Sequence, residues 1–214
     1  MAKAPVAGRV KTRLAVDVGA LVAADLAAAA LLDTLDVIDQ AFPDGVRSLA
    51  LAGDLTGAER SEELVERLDG WIVVAQRGGS FAERIGNAHG DVHDVTGSAV
   101  VQIGMDTPHV MPEMLLVAAE ALADCDGILG PAEDGGWWLL GLTEPRQALL
   151  LRDVPMSRPD TGDLTMAALT PSVLMRTGST TYDVDVAIEA ERAATDAPNT
   201  RFSAAWRALE RSPE

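Results

Sequence analysis

The sequence predicts an α/β fold with a mostly parallel sheet and helices on both faces. Three observations carry that expectation. Strand-like and helix-like stretches alternate over the first 125 residues, as a parallel sheet with crossover helices requires. The apolar, mostly β-branched run Val100–Ile103 ends at Gly104 and delivers Asp106, after which Pro108 and Pro112 open a helix over Glu113–Ala123. No internal repeat or linker divides the 214 residues, so a single domain, 1–214, is expected.

In chain order, Met1–Leu14 reads as a basic loop containing Pro5 and Gly8. Asp17–Gln40 reads as a helix with an apolar face of Leu21, Leu26, Leu31, Leu32, Leu35 and Ile38. Asp33, Asp36 and Asp39 recur every three residues, the spacing of a solvated face. Phe42-Pro43-Asp44-Gly45 is a turn, Val46–Ala52 a strand and Ala58–Leu68 a helix. Trp71–Ala75 is a strand running into Gln76-Arg77-Gly78-Gly79, and Phe81–His93 a helix. Strands follow at Gly127–Gly130 and Trp137–Leu142, then a short helix at Pro145–Leu151. Val154–Thr165 reads as a polar loop, Thr165–Leu169 as helical, Val173–Arg176 as a strand and Tyr182–Val186 as a strand end. Ala187–Thr195 and Ser203–Arg211 close the chain as helices.

Composition narrows the function classes. Hydrophobic residues make up 48% of the chain, enough for a core. The net charge of −16 argues against a nucleic-acid or anionic-membrane partner. Such an acidic surface is compatible with a monomer or a dimer. The one cysteine, Cys125, cannot form an internal disulfide and reads as an inert buried thiol. The basic start lacks the apolar run of a signal peptide, and the apolar run Ala20–Leu32 is too short to span a bilayer. A cytoplasmic protein with no membrane insertion is expected.

Against that acidic background the first loop is an island. Lys3, Arg9, Lys11 and Arg13 all precede the first acid, Asp17, and the two lysines are the only ones in the chain. Lysine is a compact charge suited to phosphate oxygens, and Gly8 lets backbone N–H groups approach a ligand. Asp106, at a strand's end, reads either as a helix cap or as a hard oxygen ligand for Mg²⁺ or Mn²⁺ on a nucleotide diphosphate. In Pro131-Ala132-Glu133-Asp134-Gly135-Gly136-Trp137-Trp138, Asp134 is a candidate for holding or deprotonating an acceptor hydroxyl. Its two tryptophans alternate faces, so one at most is expected to line a pocket. Asp183 and Asp185 lie on one side of an extended segment and could add a metal ligand or form a solvated edge. Ser157, Arg158 and Thr161 offer donors to an acceptor or a leaving phosphate. His89 and His93 have zinc-like spacing but no third soft ligand nearby, so structural roles are expected. No Walker loop, dinucleotide fingerprint or nucleophile elbow is present.

Six segments, AKAPVAGRVKTRL, QRGGSFAERI, VVQIGMDTPHV, GPAEDGGWWLLGL, VPMSRPDTG and YDVDV, stand in an order that resembles one bacterial family. It comprises glycosyltransferase-A-like (GT-A) transferases associated with radical-SAM and selenodomain proteins, related to phospholactate and molybdenum-cofactor guanylyltransferases. The resemblance implies a three-layer α/β/α nucleotide-diphospho-sugar transferase fold and a Mg²⁺ or Mn²⁺ cofactor. It implies a nucleotide or nucleotide-sugar donor and a small-molecule acceptor. The phosphate loop falls on Lys3, Gly8, Arg9, Lys11 and Arg13, and the metal aspartate on Asp106, completed by Asp185. The acceptor side falls on Asp134, Gly135 and Gly136, beside the acceptor-binding candidates Trp137, Ser157, Arg158 and Thr161 read from the residues themselves. Glycosyl transfer is the leading expectation, nucleotidyl transfer with release of pyrophosphate the second, and a non-catalytic nucleotide-binding relative the third. Relatives carry an apolar strand just ahead of AKAP; here only Met1 and Ala2 precede Lys3. The first strand therefore reads as truncated, and a start further upstream is expected. Val186 stands where relatives often carry threonine after the late aspartate.

Overall fold

A computed structural model describes residues 1–210. In order the elements are β1 (Ala2–Lys3), α1 (Ala15–Val18), α2 (Ala20–Ala41), β2 (Ser48–Ala52), α3 (Ser61–Arg67), β3 (Ile72–Ala75), α4 (Phe81–Thr96), β4 (Val100–Ile103) and α5 (Pro112–Ala121). Then come β5 (Gly127–Pro131), β6 (Trp137–Leu142), a 3₁₀ helix (Pro145–Leu151), α6 (Thr161–Leu169), β7 (Met175–Thr177), α7 (Ala187–Asp196) and α8 (Arg201–Glu210). The expected helix end at Arg211 lies outside the described residues.

The strands form two runs, β1-β2-β3, all parallel, and β4-β6-β5-β7, in which β6 alone is antiparallel to its neighbours. The runs meet at the N-terminus. The Met1 ammonium donates to Ile103 O at 2.8 Å, and the Lys3 N–H points at Met105 Sδ at 3.3 Å. Gln76 Nε2 reinforces the parallel run by donating to Ala2 O and Ala50 O at 2.8 and 2.9 Å. Neighbouring strand residues enter different cores, as a period of two requires. Ile128 and Leu139 pack with α2 and α5, whereas Leu129 and Leu140 pack with α4, the 3₁₀ helix and α6. The result is the expected three-layer α/β/α arrangement.

Local sequence accounts for most boundaries. Gly19, at φ +83°, splits the expected long helix into α1 and α2. The alanine-rich α2 favours helix intrinsically and sends different faces into three separate clusters, with Phe42 as its C-cap and Pro43 beyond. Ser80 and Glu83 form a capping box at the start of α4, and Pro112 opens α5.

Several expectations need correction. Ala2–Lys3 is a short strand, not loop, because it pairs with Leu51 and Ala52. The polar loop ends earlier than expected, since α6 begins at Thr161. Tyr182–Val186 forms no strand; Thr181 makes a single bridge to Ala132 and the chain beyond is irregular. Asp33, Asp36 and Asp39 are not a solvated face. Asp33 is buried and accepts the Arg201 and Phe202 N–H groups, both at 2.9 Å. Asp36 pairs with Arg67 and Arg201, and Asp39 with Arg47 and Arg67. Cys125 is buried as expected. His89 and His93 bond to Gln102 and Ser98 respectively, which gives both structural roles. Among the described residues, no helix is long and apolar enough to cross a membrane.

Beyond Met1, β2 and β4 border an apolar cavity of about 350 Å³, walled by residues such as Leu35, Leu49, Val101 and Leu115. No carboxylate lines it.

Candidate functional site

The chemistry gathers at the C-terminal ends of β1 and β4, where parallel strands present their ligands. The chain leaves β4 through Gly104 and Met105 and reaches Asp106, whose carbonyl accepts the Val184 N–H at 2.9 Å. That bond brings the 181–185 segment alongside. The segment is fixed from its other side by His109, whose ring stacks on Tyr182 at 3.9 Å and bonds to Thr181 Oγ1 at 2.8 Å. Arg192 also lies against the Tyr182 ring. At the exit, Glu189 accepts the N–H groups of Asp185 and Val186, so the start of α7 sets the backbone of Asp185.

Lys11 enters between the acids. Its Nζ lies 2.6 Å from Asp106 Oδ1 and 3.2 Å from Asp185 Oδ1, and Arg13 holds the other oxygen of Asp185 at 3.2 Å. The Lys11 side chain is 8% exposed, against 39% and 40% for the two aspartates. Burial works against the ammonium, yet the Asp106 and Asp185 carboxylates outweigh it and hold the Lys11 pKa above its ordinary value. Lys11 adopts a left-handed backbone at φ +46°, sparsely populated for a residue with a Cβ.

Beside this cluster a cavity of about 360 Å³ opens, lined among others by Lys3, Gln76, Arg84, Asp134, Trp137 and Asp183. Asp106 is on its wall. Arg84 Nε is buried without a partner. Asp134 Oδ1 accepts the Gly136 N–H at 2.8 Å, a turn that fixes the carboxylate at the cavity wall. Gly135, at φ +86°, packs so closely on Pro159 that a Cβ would meet Pro159 O at 1.8 Å, so only glycine fits. Burial first, then the Asp185 and Asp134 carboxylates, push the Asp183 carboxyl up to about 6.

The expected residues are therefore only partly brought together. Lys3, Asp106, Asp134, Gly136, Trp137, Ser157, Arg158 and Thr161 border the cavity, and Lys11, Arg13 and Asp185 form the charged cluster at Asp106. Gly8 and Arg9 are exposed and outside the cavity lining. The Arg158 guanidinium is engaged by Asp160 at 2.8 and 2.9 Å. The Thr161 hydroxyl is spent within its own loop, accepting from the Arg158 N–H and donating to Pro155 O. Both tryptophans border the cavity, against the expectation of one at most. Their indole N–H groups go to different partners, Thr165 and Ser179. Sequence reasoning missed Arg84, Gln76 and His109 as site or positioning residues, and weighed Asp183 only as a metal ligand or a solvated edge, not as a cavity-wall acid. Arg84 and Gln76 stood within the QRGGSFAERI motif, and Asp183 two residues before Asp185, but nothing local marked which side chains face the cavity.

Among the described residues no group of three or more His, Cys, Asp or Glu side chains is arranged to hold a metal. Asp106 and Asp185 form a pair that already shares one cation, Lys11 Nζ. Such a two-carboxylate donor set fits Mg²⁺ or Mn²⁺ completed by phosphate oxygens and water, and does not fit an all-protein metal cage.

A family profile described as an uncharacterized protein conserved in bacteria (DUF2064) matches residues 34–158. No curated protein matches the chain. Among solved structures, a protein proposed to be a nucleotide-diphospho-sugar transferase from Desulfovibrio desulfuricans G20 superposes with a TM-score of 0.79 at 23% identity. That match covers 97% of this chain and 92% of the other, and it establishes the fold alone. A CMP:2-keto-3-deoxy-manno-octonic acid synthetase solved with CTP matches at a TM-score of 0.48 and 14% identity, over 77% of this chain and 87% of the other.

Proposed function

The chain belongs to the bacterial family DUF2064, and from that premise we propose that it is a transferase acting on a nucleotide-activated donor. The observation that carries the reading is the Asp106–Lys11–Asp185 cluster on the rim of a cavity lined by both cations and acids. In this reading the donor's diphosphate lies against Lys3 and Lys11, whose charges stabilise the leaving nucleotide as negative charge builds on it. Asp106 and Asp185 would hold Mg²⁺ or Mn²⁺, which would act as a Lewis acid on the diphosphate. Asp134 and Asp183 face the acceptor, orienting its hydroxyl or taking its proton.

The acceptor side separates two kinds of transfer. Asp134 and Asp183 add negative charge there, and Asp160 neutralises Arg158, the nearest cation of the 156–161 wall. A phosphorylated acceptor seated against Asp134 and Asp183 would meet like charge, which is costly in a partly enclosed site. That favours glycosyl transfer to an uncharged or amine-bearing acceptor over nucleotidyl transfer to a phosphate. The experiment is incubation with labelled nucleotide sugars or nucleoside triphosphates, Mn²⁺ and a panel of acceptors. Acceptor-dependent release of nucleoside diphosphate is expected. Pyrophosphate released from a triphosphate and a sugar phosphate would overturn the glycosyl reading, and turnover of neither, with binding retained, would favour a non-catalytic nucleotide-binding relative.

A further inference from the structure

We propose that Lys11 is a built-in cation that keeps the Asp106–Asp185 pair closed to a divalent ion until a nucleotide diphosphate draws the ammonium away. The inference rests on the reading that these two carboxylates are the metal ligands, and it adds an order of binding: nucleotide first, ion second.

The geometry is specific. One ammonium lies 2.6 Å from a carboxylate oxygen of Asp106 and 3.2 Å from one of Asp185. A divalent ion held by the same two carboxylates would compete with the ammonium for much the same space, since such ions sit close to their oxygen ligands, at about 2.0–2.1 Å for Mg²⁺. Ammonium and ion cannot share it, because two like charges in so small a volume repel strongly. The ammonium is also not loosely placed. Its side chain is almost fully buried, and its backbone holds the left-handed φ of +46° that a lysine rarely adopts. A solvated loop lysine has no need of either feature. The Lys11 carbonyl accepts the Ala15 N–H at 2.8 Å, which ties the strained residue to the first turn of α1.

Release follows from the same charges. An ammonium carries three donors and no acceptor, so it leaves two carboxylates only for groups of comparable charge. A diphosphate supplies them. Once Lys11 pairs with phosphate oxygens, Asp106 loses its counter-charge and Asp185 keeps only Arg13, so the two carboxylates would be free to hold a divalent ion. No covalent step is involved; the exchange is one of ion pairs.

The test uses two substitutions that suit the backbone. Asparagine tolerates the left-handed region better than most residues, and glycine adopts it without steric cost, so Lys11→Asn and Lys11→Gly remove the charge without adding strain. Binding of Mn²⁺ alone is measured on the full chain by the loss of the free-ion electron paramagnetic resonance signal. Both variants are expected to bind Mn²⁺ about tenfold or more tightly than the wild type. The wild type is expected to reach comparable affinity only with uridine or guanosine diphosphate present, after subtraction of ion held by free nucleotide. Thermal unfolding gives a second readout, since Mn²⁺ then raises the midpoint of the variants more than that of the wild type. Wild type and variants binding Mn²⁺ equally without nucleotide would overturn the proposal while leaving the metal reading intact. Absence of Mn²⁺ binding in all three proteins, with and without nucleotide, would remove the metal reading and this proposal with it.

Discussion

The Val184 N–H donates to the Asp106 carbonyl at 2.9 Å, and this one bond joins two parts of the chain far apart in sequence. It sets Asp185 within reach of the ammonium that Asp106 also holds, and turns Asp183 toward the cavity. The site is thus assembled from the first loop, the end of β4 and an irregular segment near the C-terminus. Each contributes charge, and the register between them decides what that charge can bind.

Asp183 is expected to lower the stability of the ligand-free protein at neutral pH. Burial and the neighbouring carboxylates raise it to about 6. Above that pH the folded state carries a charge that the unfolded chain solvates more easily. Below about pH 4 both states are protonated and the difference disappears. Asp183→Asn should therefore stabilise the protein by about 1 kcal/mol at pH 8, after allowance for solvent screening, with the gain fading as pH falls through about 6 toward 4. Urea unfolding at the two ends of that range is the measurement. An equal gain at both would assign the effect to packing.

Asp33 is expected to be a structural acid of the first importance. It accepts the N–H groups of Arg201 and Phe202, the first residues of α8, and its carboxylate also faces Arg201 Nη1. Asp33→Ala would leave those donors without a partner in a buried setting, at a cost of about 3 kcal/mol. Chemical denaturation reads this directly. A loss below about 0.5 kcal/mol would return Asp33 to the solvated face that its spacing implies.

The cavity between β2 and β4 predicts the effect of a designed extension. Ala2 pairs with Leu51 in a parallel register, which puts Met1 beside Ala50, so residues placed ahead of Met1 run past Leu49 and Ser48 into that cavity. The Met1 ammonium, pushed down to about 6 by burial, would move away from the junction. Five valine- and isoleucine-rich residues added there should raise the thermal midpoint by about 5 °C or more, as side chains leave water. A Gly/Ser extension of the same length should raise it little. Similar midpoints for both extensions would argue that no strand forms.

These predictions also mark where the sequence was legible. The alternation of strands and helices over the first 125 residues, the exit of β4 through Gly104 to Asp106, and the opening of α5 at Pro112 are local patterns. They appear close to where the periodicity and the prolines place them. The basic loop was legible as an island of charge, but not which of its cations turn inward. Lys11 does and Arg9 does not, a choice made by the strained turn at Lys11 and by acids from β4 and the 181–185 segment. Asp33, Asp36 and Asp39 misled because helical spacing looks the same whether the partner is water or an arginine. Their partners, Arg47, Arg67 and Arg201, come from other elements. His109 and Tyr182 lie 73 positions apart, and only the folded chain shows that their rings stack.

The central claim is that Asp106 holds the divalent ion through which a nucleotide diphosphate binds. Isothermal titration of UDP-glucose and of GTP, each with Mn²⁺, into the wild type and Asp106→Asn tests it most directly, with circular dichroism to confirm that the variant is folded. The account predicts Mn²⁺-dependent binding of at least one nucleotide by the wild type and a loss of about a hundredfold or more in the variant. Binding of the same strength in both, with the same dependence on Mn²⁺, would contradict it.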